Sequence, residues 1–477
     1  MGSGMAERVD LGKDRDKDTG SEPSLKRVMG PGLLLLFIVG DILGTGIYAL
    51  TGQVAAEVGG VVWLPFLVAF LVALVPAFSY LELVTKYPKA AGAALYTHKA
   101  FGIHFVTFIV AFTVMSSGIT SASTAAKAFA ANFAEAFDLD LGEGLAVTLV
   151  ALAFMALVAI VNFRGVGESV KTNVVLTVVE LTGLLIIITI GLYALGVGDG
   201  DFSRVTQADT GDRSLLGGVI VATTIAFFAM VGFEDSVNMA EECKRPSAIF
   251  PKVLLFGLFA TGAIYVLVSI SAIALVPATD LQEGDTPLLK VVEAGAPGFP
   301  IGIFAFITMM AVANSALINM LMASRLVYGM SREGVLPSPL GRVHASRRTP
   351  YIAILFTTAL AFGLITFVGE IPLLGPTTAL LLLFVFTVVN VAVLVLRRDT
   401  VEHKHFRTPT FLPVIGALTC GFLATPLTGR DNQQYVIAGV LLAIGVVFWA
   451  ITVFVNRQTG VTGEGDPANL AGGGPVN

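Results

Sequence analysis

Gly40-Asp41-Ile42-Leu43-Gly44-Thr45-Gly46-Ile47-Tyr48 sits in the middle of an apolar run long enough to cross a bilayer. Phe227-Phe228-Ala229-Met230-Val231-Gly232-Phe233-Glu234-Asp235 does the same farther along the chain. Each stretch carries helix-weakening glycine and a carboxylate where lipid tails would lie. Non-helical backbone at membrane depth is tolerated only inside protein or beside a water-filled cavity. Two such interruptions in corresponding places mark the binding site of a carrier whose halves are related by an internal repeat.

The rest of the chain supports a membrane setting. Of 477 residues, 55% are hydrophobic and only 13% charged, and the mean hydropathy is +0.83. A soluble domain carries about 25% charge. A spanning helix needs about 20 apolar residues. Segments of that kind are read at 31–52, 58–84, 100–130, 144–162, 171–196, 215–240, 252–276, 299–330, 351–369, 373–396, 410–427 and 434–455. The expected fold is therefore an all-α polytopic membrane protein of about twelve transmembrane helices. The breaks fall in helices one and six. An offset of five helices inserts the second copy upside down, so a 5+5 inverted repeat is expected. Repeat one covers about residues 31–196 and repeat two about 215–396, with two extra helices at about 410–455.

Charge sorting agrees with an even number of spans. Of the 29 Lys and Arg, only Lys127, Arg204, Arg213, Lys290 and Arg430 fall on or near the odd-to-even loops. Acidic clusters occupy those same loops, such as Asp199, Asp201, Asp209 and Asp212. The positive-inside rule then places both termini in the cytoplasm, and a plasma-membrane location is expected. Residues 1–25 read as a disordered cytoplasmic extension, with Met1-Gly2-Ser3-Gly4-Met5 as a cloning remnant. Residues 26–456 form the transmembrane domain and 457–477 a flexible Gly-rich tail. Cys243 and Cys420 fall in different environments, so no disulfide is expected.

The chemistry follows from the breaks. Glycine inside a helix costs roughly 1 kcal/mol against alanine. Gly40, Gly44 and Gly46 therefore favour an unwound turn, or close helix packing through small residues. An unwound turn exposes backbone N–H groups at the positive start of a half-helix, an anion site suited to a carboxylate. Around Phe228, Val231 and Gly232, helix six exposes carbonyls that suit an ammonium. Phe228 and Phe233 flank that break as candidate gate or pocket wall. Four acids lie at membrane depth: Asp41, Glu180, Glu234 and Asp235. Such groups are costly there and are functional candidates by default. A buried carboxyl favours its neutral form, the property a proton carrier needs. Asp41 alternatively caps a half-helix, Glu180 alternatively makes a structural hydrogen bond, and Glu234 or Asp235 alternatively satisfies freed N–H groups. Ser116, Asn314, Ser315 and Asn319 are pocket candidates, with Ser315 and Asn314 best placed to face the first break. Interhelical hydrogen bonding is the other reading of such polar residues. The chain shows no phosphate loop, zinc motif or nucleophile–base pair, so neither enzyme activity nor a cofactor, metal or nucleic-acid partner is expected.

These motifs resemble the amino acid–polyamine–organocation permeases, whose fold is that of the leucine transporter. The likeness spans about residues 26–455. It rests on Gly44-Thr45-Gly46-Ile47-Tyr48, on the helix-six stretch followed by Ala240-Glu241-Glu242-Cys243-Lys244-Arg245-Pro246, and on Met330-Ser331-Arg332-Glu333-Gly334-Val335-Leu336-Pro337. The resemblance implies that Thr45 and Gly46 N–H groups hold a substrate carboxylate. It implies that carbonyls of Ile42, Phe228 and Val231 hold the amino group, and that Phe228 or Phe233 closes a gate. It also implies a proton-sensing role for Glu234. One departure stands out: where many proton-coupled relatives place a helix-five lysine, this chain has Glu180.

The expected function is secondary transport of amino acids by alternating access, proton-coupled or by exchange, with a leaning to cationic amino acids. The partners expected are the amino acid, a proton or sodium ion, and the bilayer. The first alternative is a polyamine or amine permease, which would leave the Gly44-Thr45-Gly46 donors unused. A membrane-embedded enzyme would need a catalytic set that is missing. A static channel does not require paired breaks.

Overall fold

A computed structural model describes residues 29–89, 92–139, 144–164, 169–332, 334–347 and 349–459. The expectations for the N-terminal extension and for the tail beyond Thr459 lie outside the described residues. The same holds for Glu333 of the third motif. Twelve apolar helices run in order: α1 Pro31–Val58, α2 Trp63–Lys86, α3 His104–Ala136, α4 Leu145–Arg164, α5 Ser169–Val197, α6 Leu215–Ala226, α7 Pro246–Leu275, α8 Ile301–Arg332, α9 Tyr351–Phe367, α10 Ile371–Leu396, α11 Phe411–Leu423 and α12 Asn432–Thr459. Among the described residues ten helices are long and apolar enough to cross a bilayer, α6 counting with the 3-10 segment that prolongs it. Tyr351–Phe367 and Phe411–Leu423 are shorter apolar helices. Together they match the twelve segments read from the sequence. Among the described residues there is no strand, only two isolated bridges.

Helix ends follow local chemistry. Pro31 opens α1, where a missing N–H costs nothing. Gly59 closes it at φ 64°, its N–H donating to the Ala55 carbonyl. Ser214 caps α6, its hydroxyl accepting from the Gly217 N–H at 3.2 Å.

Burial separates core from rim. In α1 83% of the central window is buried, against 22% in α12 and 28% in α4. A helix hydrophobic all round is buried all round, whereas a rim helix turns Leu and Phe to lipid. Accordingly Leu149, Leu157 and Ile160 of α4 are exposed, as are Val436, Val440 and Phe454 of α12. The most extensive pairing is between α3 and α8, and α1 lies against α5, α6, α7 and α8.

Two chain crossings tie α1 to the flanks of α6. At one end Met29 bridges Cys243, and Lys244 N donates to the Met29 carbonyl at 3.0 Å. At the other end Gly59 bridges Ala208, with Asp209 N on the Val58 carbonyl at 3.1 Å and Gly60 N on the Gln207 carbonyl at 2.8 Å. Farther out, Glu82 at the end of α2 is buried but fully engaged. Arg397 grips it through Nε at 3.1 Å and Nη2 at 2.9 Å, and Thr408 N adds a third bond at 2.8 Å. A bidentate pair with a further donor is the ordinary way to keep a buried carboxylate.

Candidate functional site

The two breaks differ in form. In α1 the backbone leaves helical geometry only at Gly44 (φ −16°, ψ −151°), and helix continues on both sides. In α6 the α-helix stops at Ala226 and a 3-10 turn follows at Phe227–Met230. Val231 is then extended (φ −81°, ψ 154°), Gly232 takes φ 122°, and a second 3-10 segment runs over Asp235–Glu242. The expected unwinding of both helices is present, narrow in α1 and broad in α6.

The breaks pack on each other. A Cβ on Gly46 would lie 2.4 Å from the Ala229 Cα. One on Gly232 would lie 2.7 Å from the Asp41 carbonyl. Only glycine permits these approaches, and at Gly232 the positive φ independently demands it. Along α1 the contacts run from Asp41 to Gly46, along α6 from Gly232 back to Ala229. The crossing is antiparallel, as the odd helix offset requires.

The pocket forms at this crossing. Its lining includes Asp41, Ile42, Gly44, Thr45, Gly46, Phe228, Val231, Gly232, Glu234, Asp235, Ser315 and Asn319. All of these were singled out in the sequence. Thr45 N donates to Ser315 Oγ at 3.3 Å, so one donor freed by the Gly44 kink is already braced by α8. The Ile42 carbonyl accepts from the Tyr265 hydroxyl at 2.5 Å. Glu234 Oε2 accepts from the Gly232 N–H at 2.9 Å, the local capping weighed as its alternative role. Asp41 is buried and its Oδ2 has no hydrogen-bond partner. Asp235 is half-buried. Three carboxylates thus line a pocket that holds no Lys, Arg or His among the described residues.

Four candidates are placed elsewhere. Phe233 is turned away by the bend at Gly232 and packs its ring against Tyr80 and Phe386, so it does not wall the pocket. Ser116 is buried off the lining, and its neighbours Ser117, Gly118 and Ser121 face the pocket instead. Asn314 points toward α5, its Oδ1 accepting from Asn173 Nδ2 at 3.1 Å. Glu180 lies behind the α1 kink: it is fully buried, and neither carboxyl oxygen has a hydrogen-bond partner. Asn314 faces it from α8, and the Glu180 backbone carbonyl accepts from the Tyr48 hydroxyl at 2.7 Å. Gly40 is a packing glycine, where a Cβ would meet Thr177 Oγ1 of α5 at 1.8 Å.

The sequence reading took Ser117 and Ser121 of α3 for interhelical hydrogen-bonding residues and missed Val114 and Gly118 of α3, Met322, Ala323 and Leu326 of α8, and Thr378 and Leu382 of α10. Asp235, Asn319 and Leu326 are half-buried, so the pocket is accessible from their side. Toward the other face Leu50, Phe227, Phe228 and Thr377 are buried and close it. Cys243 and Cys420 are both buried.

A polytopic helical protein with a small polar pocket between two broken helices is a membrane permease. The chain belongs to the amino acid permease family, whose profile matches residues 33–465. It is similar to the branched-chain amino acid permease BcaP of Bacillus subtilis, 28% identical over 452 residues, covering 90% of this chain and 94% of that one. It is similar to the methylthioribose transporter of Bacillus subtilis, 27% identical over 449 residues (89% and 93% of the two chains). It is also similar to the chloroplastic cationic amino acid transporter 9 of Arabidopsis thaliana, 28% identical over 341 residues (68% and 58%).

Proposed function

We propose that the protein is a secondary transporter that moves α-amino acids with cationic side chains across the plasma membrane by alternating access, both termini being cytoplasmic. The observation that carries the reading is the pocket lined by Asp41, Glu234 and Asp235 without a basic residue. An ammonium or guanidinium entering it offsets that charge, whereas an aliphatic side chain leaves it uncompensated. The substrate carboxylate meets the start of the second half of α1, at Thr45 and Gly46, with the Ser315 hydroxyl beside it. The amino group meets carbonyls of Ile42, Phe228 and Val231. The two halves of the fold rock about these breaks, following the inverted repeat expected at about residues 31–196 and 215–396.

Glu180 supplies the driving step. Its carboxyl is unpartnered behind the kink, one residue contact from Asn314, whose neighbour Ser315 holds Thr45. Protonation there is felt at the donor end of the site. Glu180→Gln is expected to abolish uptake driven by a proton gradient while leaving counterflow exchange. Unchanged proton-driven uptake in that variant would sink the coupling role.

The names of the relatives span branched-chain and cationic amino acids. The test is therefore uptake into liposomes of radiolabelled arginine, lysine, leucine and putrescine, under imposed proton or sodium gradients. Arginine or lysine uptake stimulated by a proton gradient supports the reading. Leucine uptake alone refutes the cationic preference, and putrescine uptake alone replaces it with an amine permease.

A further inference from the structure

Arg430 breaks the pattern of the buried charges. It is only 5% exposed. Unlike Arg397, it has no carboxylate within ion-pair distance among the described residues. Its guanidinium donates to backbone carbonyls of three helices: Nε to Leu423 of α11 at 2.9 Å, Nη1 to Pro376 of α10 at 3.0 Å, and Nη2 to Thr224 of α6 at 3.4 Å. Nη1 also donates to Gln434 Oε1 of α12 at 3.0 Å. Two of the three carbonyls lie at helix C-termini, Leu423 closing α11 and Thr224 in the last turn of α6. The negative ends of two helix dipoles offset a cation there.

Depth explains why this matters. α11 has 13 residues. At 1.5 Å per residue it covers about 20 Å, short of the ~30 Å hydrocarbon core. α11 alone therefore does not cover the core, and the chain that follows it packs inside the protein. Residues 424–431 wedge beside α6, where a Cβ on Gly429 would sit 3.0 Å from Val221 Cγ2. Arg430 thereby grips α6 in the turn that precedes the break at Phe227, on the closed side of the pocket. The helix ends at Leu423, four residues short of the segment read at 410–427, and Arg430 lies in the connection to α12 where the charge pattern put it, but buried.

We propose that Arg430 is a positioning residue that latches the outer half of helix six to α10, α11 and α12 and so holds the outer side of the pocket shut. It rests on the alternating-access reading above. Outward opening separates the end of α6 from α10, so the bond to Thr224 of α6 breaks once per cycle while those to Leu423 and Pro376 hold the guanidinium in place for its return. A lysine keeps the charge but cannot span three acceptors, because its ammonium lacks the planar fork.

The test uses Leu50→Cys in a Cys243→Ala, Cys420→Ala background, in nanodiscs. Leu50 is 1% exposed and lies on the closed side, against Gly375. Its labelling by a maleimide reports outer opening. Arg430→Met is expected to raise the labelling rate about tenfold, the size of one lost charge-assisted bond network, and Arg430→Lys about threefold. In liposomes the maximal uptake rate falls while KM stays within twofold. If Arg430→Met does not yield folded protein, Arg430→Lys and Gln434→Leu carry the test, each with a smaller rise. Labelling within experimental error of the parent in every folded variant overturns the latch. The parent's labelling is also read with and without a saturating concentration of whichever of arginine, lysine or leucine is taken up. If substrate does not change it, alternating access itself fails and the latch falls with it. If substrate changes it and the Arg430 variants do not, only the latch fails.

Discussion

The kink in α1 and the gap in α6 perform the same task with opposite construction. The α1 break is one residue wide and is braced from outside, by Ser315 on Thr45 N and by Thr177 against Gly40. The α6 break spans Phe227 to Gly232 and is braced from within, Glu234 capping the N–H of Gly232 two residues earlier in the chain. In the site proposed above, the difference matches what each break presents. A donor end needs only one turn of freed N–H groups, and helix may resume at once. An acceptor end needs carbonyls aimed sideways, which takes extended backbone at Val231 and a positive φ at Gly232. The broad break therefore depends on a glycine held at positive φ, and the narrow one on glycines that let its neighbours approach.

That contrast can be broken at four points. The largest effect is expected for Gly232→Ala, because the methyl meets the Asp41 carbonyl at 2.7 Å and the residue must hold φ 122°. Uptake is expected to fall at least about 100-fold, with reduced yield of folded protein on size-exclusion chromatography. Normal uptake would show that the α6 break does not need its glycine. Gly44→Ala comes next. Its methyl would lie 2.1 Å from Ser315 Oγ but 3.4 Å from Ser315 Cβ. A loss of roughly 30-fold is expected, partly restored in Gly44→Ala/Ser315→Ala, a non-additivity that a double-mutant cycle measures. Strict additivity would mean that α8 does not brace the kink. Ser315→Ala alone removes the acceptor for Thr45 N and is expected to raise KM about threefold to tenfold with little change in maximal rate. The smallest effect is expected for Glu234→Gln, whose amide oxygen still caps Gly232 N. Uptake within about threefold of the parent at pH 7 is expected. A complete loss would mean that Asp41 and Asp235 do not suffice for the pocket's charge without Glu234.

The breaks were legible because glycine and carboxylate in an apolar run are local signals, readable without knowing what lies beside them. The antiparallel crossing was legible from counting helices between them. What escaped depends on rotation and length. Ser116 and Ser117 are adjacent in sequence, yet only one faces the pocket, because the phase of α3 is set by its packing on α8. Phe233 flanks the break as an aromatic gate would, but the bend at Gly232 redirects it into the Tyr80 and Phe386 cluster. Glu82 was passed over as a buried acid because its partner Arg397 is distant in sequence. Arg430 left one trace, as a basic residue on the acid-rich side of the charge pattern. Its burial follows from the shortness of α11, which hydropathy alone blurs into the next loop.

The crossings at both ends of α1 have a mechanical consequence. Met29 on Cys243 and Gly59 on Ala208 close the two broken helices into a loop fastened top and bottom. On the alternating-access reading proposed above, a load applied to one rod is carried by the other, so the cradle between them keeps its dimensions while it tilts. Such a cartridge grips its cargo with the same fingers in either orientation. Its intrinsic dissociation constant should then be nearly equal on the two faces, leaving the energy of transport to the hinges around it.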